Sequence, residues 1–256
     1  MNQTKNGLWN SPPLRSQVTA EDVRPPEMLF GYLIGPFGAL LASGIFTSQL
    51  QNYLTNVLKL DLGFLTTLQL LSTILIVAAN LVVGQLIERT CTLAGKARPW
   101  ILLSALTLSV ASVLMFIVPF ADRTARMVWI AIAYNAYYAV GFPIYNTANS
   151  TLVPVSTRNS KQRSTLASLT NIASLGVMGV GSMIFPTLVS MALKEDQHLW
   201  FVAMLGVAIF TALTILLQFR FTRERVTEES AGAEKAEKSS ASLGEQVKAV
   251  TSEKSW

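Results

Sequence analysis

The chain has 256 residues, of which 51% are hydrophobic and only 14% are charged. Its mean hydropathy of +0.42 lies outside the range of ordinary soluble domains, in which about a quarter of the residues are charged. The net charge of +5 does not indicate a nucleic-acid-binding surface, because the sequence has no polar segment in which basic and aromatic residues interleave.

The apolar residues fall into six long uncharged blocks behind a polar tail, residues 1–27. The tail carries charges of both signs and lacks the apolar core of a secretory signal peptide. Each block exceeds the roughly 20 residues that a helix needs to cross a bilayer. The blocks cover residues 29–58, 63–87, 99–120, 127–156, 164–193 and 199–219. We therefore predict an all-α membrane protein whose six transmembrane helices form one bundle over residues 28–222.

The basic residues near the helix ends predict the orientation. If the N-terminus is cytoplasmic, twelve of them lie in inner segments and four in outer loops. Because positive charge concentrates on the cytoplasmic side, we expect both termini to be cytoplasmic and the protein to be multi-pass in the plasma membrane. The inner residues are Lys5, Arg15, Arg24, Arg89, Lys96, Arg98, Arg158, Lys161, Arg163, Arg220, Arg223 and Arg225, and the outer residues are Lys59, Arg123, Arg126 and Lys194.

Behind the last block the composition changes. Residues 223–256 are rich in Glu, Lys, Ala and Ser and contain no apolar block. We interpret them as a solvated, charged cytoplasmic segment, in which residues 243–250 could form a short surface helix. A six-helix bundle followed by such a segment is typical of the first half of a twelve-helix transporter, including the loop that connects the two halves.

Enzymatic and metal chemistry are not expected. The lone cysteine, Cys91, falls in a predicted cytoplasmic loop, and the lone histidine, His198, falls in a short outer loop. No cluster of Cys and His suggests a metal site, and a membrane hydrolase would need a base beside its nucleophile. The blocks supply hydroxyl groups but no base, so we expect no catalytic residue, no metal and no cofactor.

Polar neutral residues take the place of ionisable ones inside the membrane. None of the six blocks contains Asp, Glu, Lys, Arg or His, which argues against a proton relay or a carboxylate-based cation site. The polar residues form stripes on the first, second and fourth helices. In chain order they are Ser48, Asn52 and Thr55; Gln69, Thr73 and Asn80; and Asn135, Tyr138, Phe142, Tyr145, Asn146 and Asn149.

Two interpretations of these stripes stay open. The side chains could form hydrogen bonds between helices, each worth about 0.6 kcal/mol on average. Alternatively, they line a cavity for a neutral polyhydroxylated ligand, because amides pair with hydroxyl groups and aromatic rings stack on sugar faces. Under this second interpretation the candidate substrate-binding residues are Asn146, Asn149, Tyr145, Tyr138, Asn135, Asn80 and Thr73.

Two loops carry a family resemblance. The run Gly84–Arg89 and the following run Gly95–Leu102 together resemble the cytoplasmic signature of the major facilitator superfamily. The Gly-Lys-x-Arg-Pro-Trp-Ile-Leu ending looks specifically like the glycoside–pentoside–hexuronide:cation symporter family. Leu152–Pro154 followed by Arg163 is similar to that family's loop after helix four. The resemblance covers the first-half bundle and implies a major facilitator half-bundle with a sugar-like substrate.

The sequence departs from this family where its symporters bind their cation. The family's acidic position in helix one falls on Leu40, and the paired aspartates of helix two fall on Ile76 and Asn80. The sugar-site aspartate of helix four falls on Asn146, and an arginine of helix five falls on Asn171. The resemblance therefore adds Asn171 to the candidate substrate site. It also implies that this half lacks carboxylate-based coupling to sodium or protons.

The same loops suggest a cytoplasmic gate held by a charge network. The simpler alternative is that their basic residues only anchor the helix ends at the membrane surface. The candidate gate residues are Glu88, Arg89, Lys96, Arg98 and Arg163.

We expect a transporter, or the N-terminal half of one, for a neutral sugar or glycoside. Residues 242–256 resemble the family's approach to helix seven, so we expect a truncated or split transporter. Its partners would be membrane lipid, a neutral sugar-like small molecule, and either a homodimer partner or a second six-helix half. The alternative is a non-transporting membrane binding or scaffold protein that kept the fold.

Overall fold

The computed structural model describes residues 14, 16, 18, 20, 22–193 and 196–226. The predictions for the rest of the N-terminal tail, for Lys194 and for residues 227–256 lie outside these residues. They include the surface helix at 243–250 and the approach to a seventh helix.

The described chain is built from helices. Its six helical segments are α1 (Pro25–Val57), α2 (Leu62–Arg89), α3 (Arg98–Leu114), α4 (Arg123–Ser156), α5 (Ser160–Leu193) and α6 (Gln197–Phe221). Five of them, all except α3, are long and apolar enough to cross a membrane. The prediction of an all-helical membrane fold is therefore confirmed at this level.

The third segment is shorter than its apolar block. α3 has 17 residues, whereas the predicted block ran on to residue 120. The chain turns after Leu114, where the N–H groups of Phe116 and Ile117 both donate to the carbonyl of Val113. Pro119 follows, and it disfavours the helical conformation in the residue before it. Hydropathy alone could not separate the helix from this apolar turn.

Three helices begin at aspartates that cap them. Asp61 accepts a hydrogen bond from the Phe64 N–H at the start of α2. Asp122 accepts one from the Ala125 N–H at 2.9 Å, at the start of α4. Asp196 accepts from the first N–H groups of α6. A carboxylate at this position satisfies unpaired donors and stabilises the positive end of the helix dipole. These charged side chains thus fix where the helices start.

α1 is the central helix, and glycines let its neighbours approach. Its apolar window is 61% buried, compared with 17% for α2 and 18% for α5. A Cβ on Gly38 would lie 2.4 Å from the Cα of Thr211 in α6. A Cβ on Gly44 would lie 2.5 Å from the carbonyl oxygen of Met178 in α5. Small residues at such contacts bring backbones together in membranes, where hydrophobic driving force between helices is weak.

The helix ends gather in two opposite layers. At one end, which we call the basic end, Arg225 binds Glu27 at the start of α1 (2.8 Å) and the carbonyl of Ser156 at the end of α4. At the other end, the aromatic end, the rings of Tyr53, Phe116 and Trp200 all contact one another. Phe116 follows directly after the end of α3.

The described basic residues divide unevenly between these layers. Those at the basic end are Arg24, Arg89, Lys96, Arg98, Arg158, Lys161, Arg163, Arg220, Arg223 and Arg225, and those at the aromatic end are Lys59, Arg123 and Arg126. This is the distribution that the sequence predicted for inner and outer segments.

Candidate functional site

Three exposed asparagines lie at a common depth. Asn80 of α2, Asn146 of α4 and Asn171 of α5 are all exposed, and α4 contacts both α2 and α5. At a rise of 1.5 Å per residue, each lies about 14–17 Å along its helix from the basic end. This is near the middle of a hydrocarbon core of about 30 Å. An uncharged amide at this depth is costly unless it faces protein, water or a polar ligand.

The second-helix residues keep hydrogen-bonding capacity for a ligand. The Asn80 amide nitrogen donates to the Ile76 carbonyl at 2.8 Å, so its Oδ1 is the atom left for another donor. Thr73 is also exposed and donates to the Gln69 carbonyl, about ten ångströms further along α2. Ile76 between them is half-buried, and Leu40 in α1 is buried. Neither apolar side chain offers a cation ligand.

The fourth-helix stripe does not lie on one face. Asn146 is exposed, whereas Tyr145 and Asn149 are buried inside the bundle. Asn135 and Tyr138 are half-buried, and the Asn135 amide donates to the Ala131 carbonyl of its own helix. The predicted stripe thus contains both exposed and buried side chains.

A stretch of π-helix interrupts the regular period of α4. Residues Ala136–Gly141 form π-helix, in which hydrogen bonds run from i to i+5. The wider turn rotates the residues after Gly141 relative to Asn135, which precedes the stretch. A count at 3.6 residues per turn therefore does not give the relative directions of Asn135 and Asn146.

Asn149 and Tyr145 meet a residue of α6 that the sequence did not single out. Gln218 is fully buried, and its amide nitrogen donates to Asn149 Oδ1 at 2.7 Å. Its Oε1 accepts from the Tyr145 hydroxyl at 3.3 Å. The interhelical bonds of Tyr145 and Asn149 thus agree with the first interpretation of the stripe, and the cavity interpretation stays a prediction for the exposed Asn146.

Of the candidate gate residues, only Arg98 is buried. Glu88 and Arg89 are exposed at the end of α2, and Arg163 is exposed in α5, where it donates to the Thr157 carbonyl at 3.0 Å. Arg98 is the exception, being only 2% exposed. Lys96 is half-buried and enters the site through its backbone.

Arg98 joins three segments at the basic end. Its guanidinium donates to the carbonyls of Ala94 in the preceding turn, Leu14 in the tail and Phe219 in α6. It also lies 4.5 Å from the centre of the Phe219 ring, a cation–π contact. Burial of this arginine is thus compensated by carbonyl oxygens and an aromatic face.

The partner that the sequence missed is Glu224. Its carboxylate is 3% exposed and accepts from the N–H groups of Lys96, Ala97 and Arg98, at 2.6, 2.9 and 2.8 Å. Only the Arg98 N–H belongs to α3; the other two come just before it, where Ala97 at the N-cap offers no capping side chain. Burial raises the pKa of Glu224, and the backbone hydrogen bonds oppose that rise.

The residues directly after α6 therefore do not extend into solvent. Arg225 donates to the carbonyls of Ala20 and Asp22 as well as to Glu27. The backbone N–H groups of Arg225 and Val226 donate to the Val155 carbonyl. Residues 223–226 therefore pack against the bundle, and composition alone gave no sign of these long-range contacts. The prediction for residues 227–256 lies outside the described residues.

Comparison with known proteins gives consistent matches. The family described as MFS/sugar transport protein matches residues 31–256. The chain is 26% identical over 218 residues to the isoprimeverose transporter of Lactiplantibacillus pentosus, covering 82% of this chain and 44% of that protein. It is 27% identical over 177 residues to the inner membrane symporter YicJ of Escherichia coli (strain K12), covering 68% of this chain and 38% of that protein.

A third relative shows the same coverage. The chain is 25% identical over 217 residues to the uncharacterized symporter YjmB of Bacillus subtilis (strain 168), covering 82% of this chain and 45% of the relative. The chain thus spans about half the length of the curated relatives that it matches.

Proposed function

Because this chain belongs to the MFS/sugar transport protein family, we propose that its bundle forms a substrate-carrying half of a membrane transporter for neutral sugars or glycosides. Membership confirms the family resemblance seen in the loops. It also confirms a multi-pass membrane protein and a transport protein rather than an enzyme. The substrate, the coupling and the assembly are the proposed parts.

The observation that carries the proposal is the depth-matched set Asn80, Asn146 and Asn171. An amide can donate and accept hydrogen bonds, and sugar hydroxyl groups do the same. Three amides from three helices at mid-membrane depth therefore suit an uncharged polyhydroxylated ligand. The printed name of one relative, an isoprimeverose transporter, supports this substrate class.

The same set argues against a cation site in this half. A buried Na⁺ needs several oxygen ligands and usually a compensating negative charge, since an unpaired charge in a low dielectric is costly. Ile76 provides no ligand, and Asn80 and Asn146 provide only neutral oxygens. We therefore propose that this half binds sugar without contributing sodium or proton coupling.

For the architecture, we propose six spans with the basic end in the cytoplasm. α3 is short, but Arg98 lies in one layer of helix ends and Phe116 packs on Tyr53 in the other, 4.6 Å between ring centres. The excess of basic residues at one end supports its cytoplasmic placement. The segments that enter and leave the bundle, near residues 22 and 226, then both lie on the cytoplasmic side.

We propose further that a second six-helix bundle or a second copy of this chain covers the exposed faces of α2 and α5. Alternating access rocks one half against another around a central site. The large exposed apolar side chains of α2 and α5 suit such a contact as well as lipid. They include Leu70, Leu71, Ile74, Ile172, Leu175 and Met183.

Equilibrium binding and proteoliposome uptake test the proposal. Purified protein in lipid nanodiscs should bind isoprimeverose or a simple methyl glycoside, and Asn146→Leu should weaken binding roughly tenfold or more through loss of buried hydrogen bonds. Thr66→Leu is the matched control, because Thr66 is exposed on α2 and bonds only to its own helix.

The outcomes separate the candidate functions. Sugar binding with uptake supports a transporter, and sugar binding without uptake in any assembly favours the scaffold alternative. Normal sugar binding by Asn146→Leu, or binding that depends steeply on sodium at constant ionic strength in the unmodified protein, would contradict the proposed site.

A further inference from the structure

Gln218 occupies a fixed position behind the candidate site. It lies in α6, away from the exposed asparagines, and is fully buried. A Cβ on Gly35 of α1 would lie 2.6 Å from the Gln218 Cβ and 2.9 Å from its Cγ. The stem of the side chain is therefore held closely against α1, and its amide has little freedom to move.

The hydrogen bonds of Gln218 run in one direction. The Tyr145 hydroxyl donates to Oε1, and Nε2 donates to Asn149 Oδ1. In the structure the glutamine amide thus presents its oxygen to Tyr145 and its nitrogen to Asn149. The orientation of the Asn149 amide follows: its oxygen faces inward.

The nitrogen of Asn149 then faces the other way. The described chain gives Nδ2 of Asn149 no hydrogen-bond partner. It is also not among the buried, unpartnered polar atoms of the described residues, which belong to Ser72, Arg98, Ser109, Arg126, Asn135 and Tyr137. Nδ2 is therefore not fully enclosed, although Asn149 as a whole is only 8% exposed. Asn149 lies three residues after the exposed Asn146, so the two side chains are neighbours on the helix.

We infer that Gln218 is a positioning residue for sugar recognition, which turns Asn149 so that its amide N–H groups face the substrate. This inference rests on the proposed function. A subsite that presents only N–H groups selects a ligand group that accepts a hydrogen bond, such as a hydroxyl or ring oxygen. It does not require that group to donate.

The inference is tested with sugar analogues in which a hydroxyl group loses its ability to donate a hydrogen bond, with or without its ability to accept one. A fluorine in place of a hydroxyl accepts weakly and cannot donate, whereas a hydrogen does neither. The probes are methyl glucoside and methyl xyloside with their monodeoxy and monodeoxyfluoro derivatives, measured on the full chain in nanodiscs. At one hydroxyl position, the fluoro analogue should bind within about twofold of the parent, and the deoxy analogue roughly threefold to tenfold more weakly.

Two variants should remove this preference. Tyr145→Phe keeps the ring but removes the hydroxyl that holds Gln218 Oε1, so the glutamine amide can rotate and no longer fixes the Asn149 amide. Gln218→Met keeps the length of the side chain but removes both bonds. In each variant the fluoro and deoxy analogues should bind equally, within about twofold. Loss of stability alone would weaken all probes together and leave their ratio unchanged.

Ser112→Ala is the matched control, because Ser112 is equally buried and bonds only within its own helix. It should retain the wild-type ratio. If Gln218→Met does not fold, Tyr145→Phe decides alone. A fluoro-to-deoxy ratio that both variants preserve overturns the role of Gln218 while sugar binding stands. Failure of the unmodified protein to bind any parent glycoside overturns the proposed function and this inference with it.

Discussion

Gly95 and Glu224 fit each other across the turn between α2 and α3. Gly95 has φ of +114°, and a Cβ on it would lie 2.4 Å from the carboxyl carbon of Glu224. The carboxylate cannot move away cheaply, because the N–H groups of Lys96, Ala97 and Arg98 hold it. This pair joins the segment after α6 to the start of α3.

Gly95→Ala is therefore expected to lower stability by about 1–3 kcal/mol, from backbone strain at positive φ and displacement of Glu224. The thermal unfolding midpoint of the protein in nanodiscs measures it. Gly84→Ala is the matched control: it lies inside α2 with open space around a Cβ, so it should be neutral or slightly stabilising. Equal midpoints for the two variants would contradict the fit of Gly95 to Glu224.

Glu224 should make stability depend on pH. Burial raises its pKa above the ordinary 4.5. At pH values between 4.5 and the raised pKa, the carboxyl group of Glu224 is protonated in the folded protein but ionised in the unfolded chain. The free energy of unfolding should therefore fall as pH rises from 4.5 through the raised pKa. Glu224→Gln cannot ionise, so the difference between its unfolding midpoint and that of the parent should change across this interval. A constant difference from roughly pH 4 to 8 would contradict the prediction.

Asn80→Asp should introduce ion dependence into sugar binding. A carboxylate at this exposed mid-membrane position supplies the negative charge that the site lacks, and Asn146 supplies a neutral oxygen at similar depth. Sugar affinity of the variant should rise with sodium or with acid, whereas the parent should respond to neither. Isotonic replacement of sodium by choline, with binding measured in both proteins, checks it. An ion response in the parent would show that coupling does not need a carboxylate here.

The proposed orientation predicts one-sided labelling of cysteines. The native Cys91 is exposed in the turn between α2 and α3, at the basic end. A membrane-impermeant maleimide should reach it only from the cytoplasmic side. In a Cys91→Ser background, Lys59→Cys at the aromatic end should react only from outside. Labelling of Lys59→Cys from the cytoplasm would reverse the topology.

The helices were largely predictable, because hydropathy is a local property and each block had to be longer than a bilayer is thick. The end of α3 was not, since Val113–Phe116 is as apolar as the helix before it. The π-helical stretch Ala136–Gly141 could not be predicted either, and it interrupts the uniform period from which the fourth-helix stripe was derived. Both misses arose where backbone hydrogen bonding departs from the regular helix while composition stays the same.

The site was only partly predictable for a different reason. Asn80, Asn146 and Asn171 could be chosen as isolated polar residues in apolar helices. Gln218 and Glu224 could not, because their partners are far away in sequence: Glu224 and Arg98 are separated by 126 residues. One signal was present, since Glu224 is an acidic residue between the two arginines that follow α6. The arginines were used only to predict the orientation, and the run was assigned to a solvated segment.

The dependence of α3 on Glu224 has a consequence for biosynthesis. At about 5–20 residues per second, a ribosome needs roughly 6–25 s to pass from Arg98 to Glu224. During this interval the first N–H groups of α3 have no carboxylate to bind, although the helix has already been made. The α2–α3 hairpin therefore enters the membrane before the N–H groups at the start of α3 have their carboxylate partner. That partner, Glu224, becomes available only after the sixth helix has been synthesised.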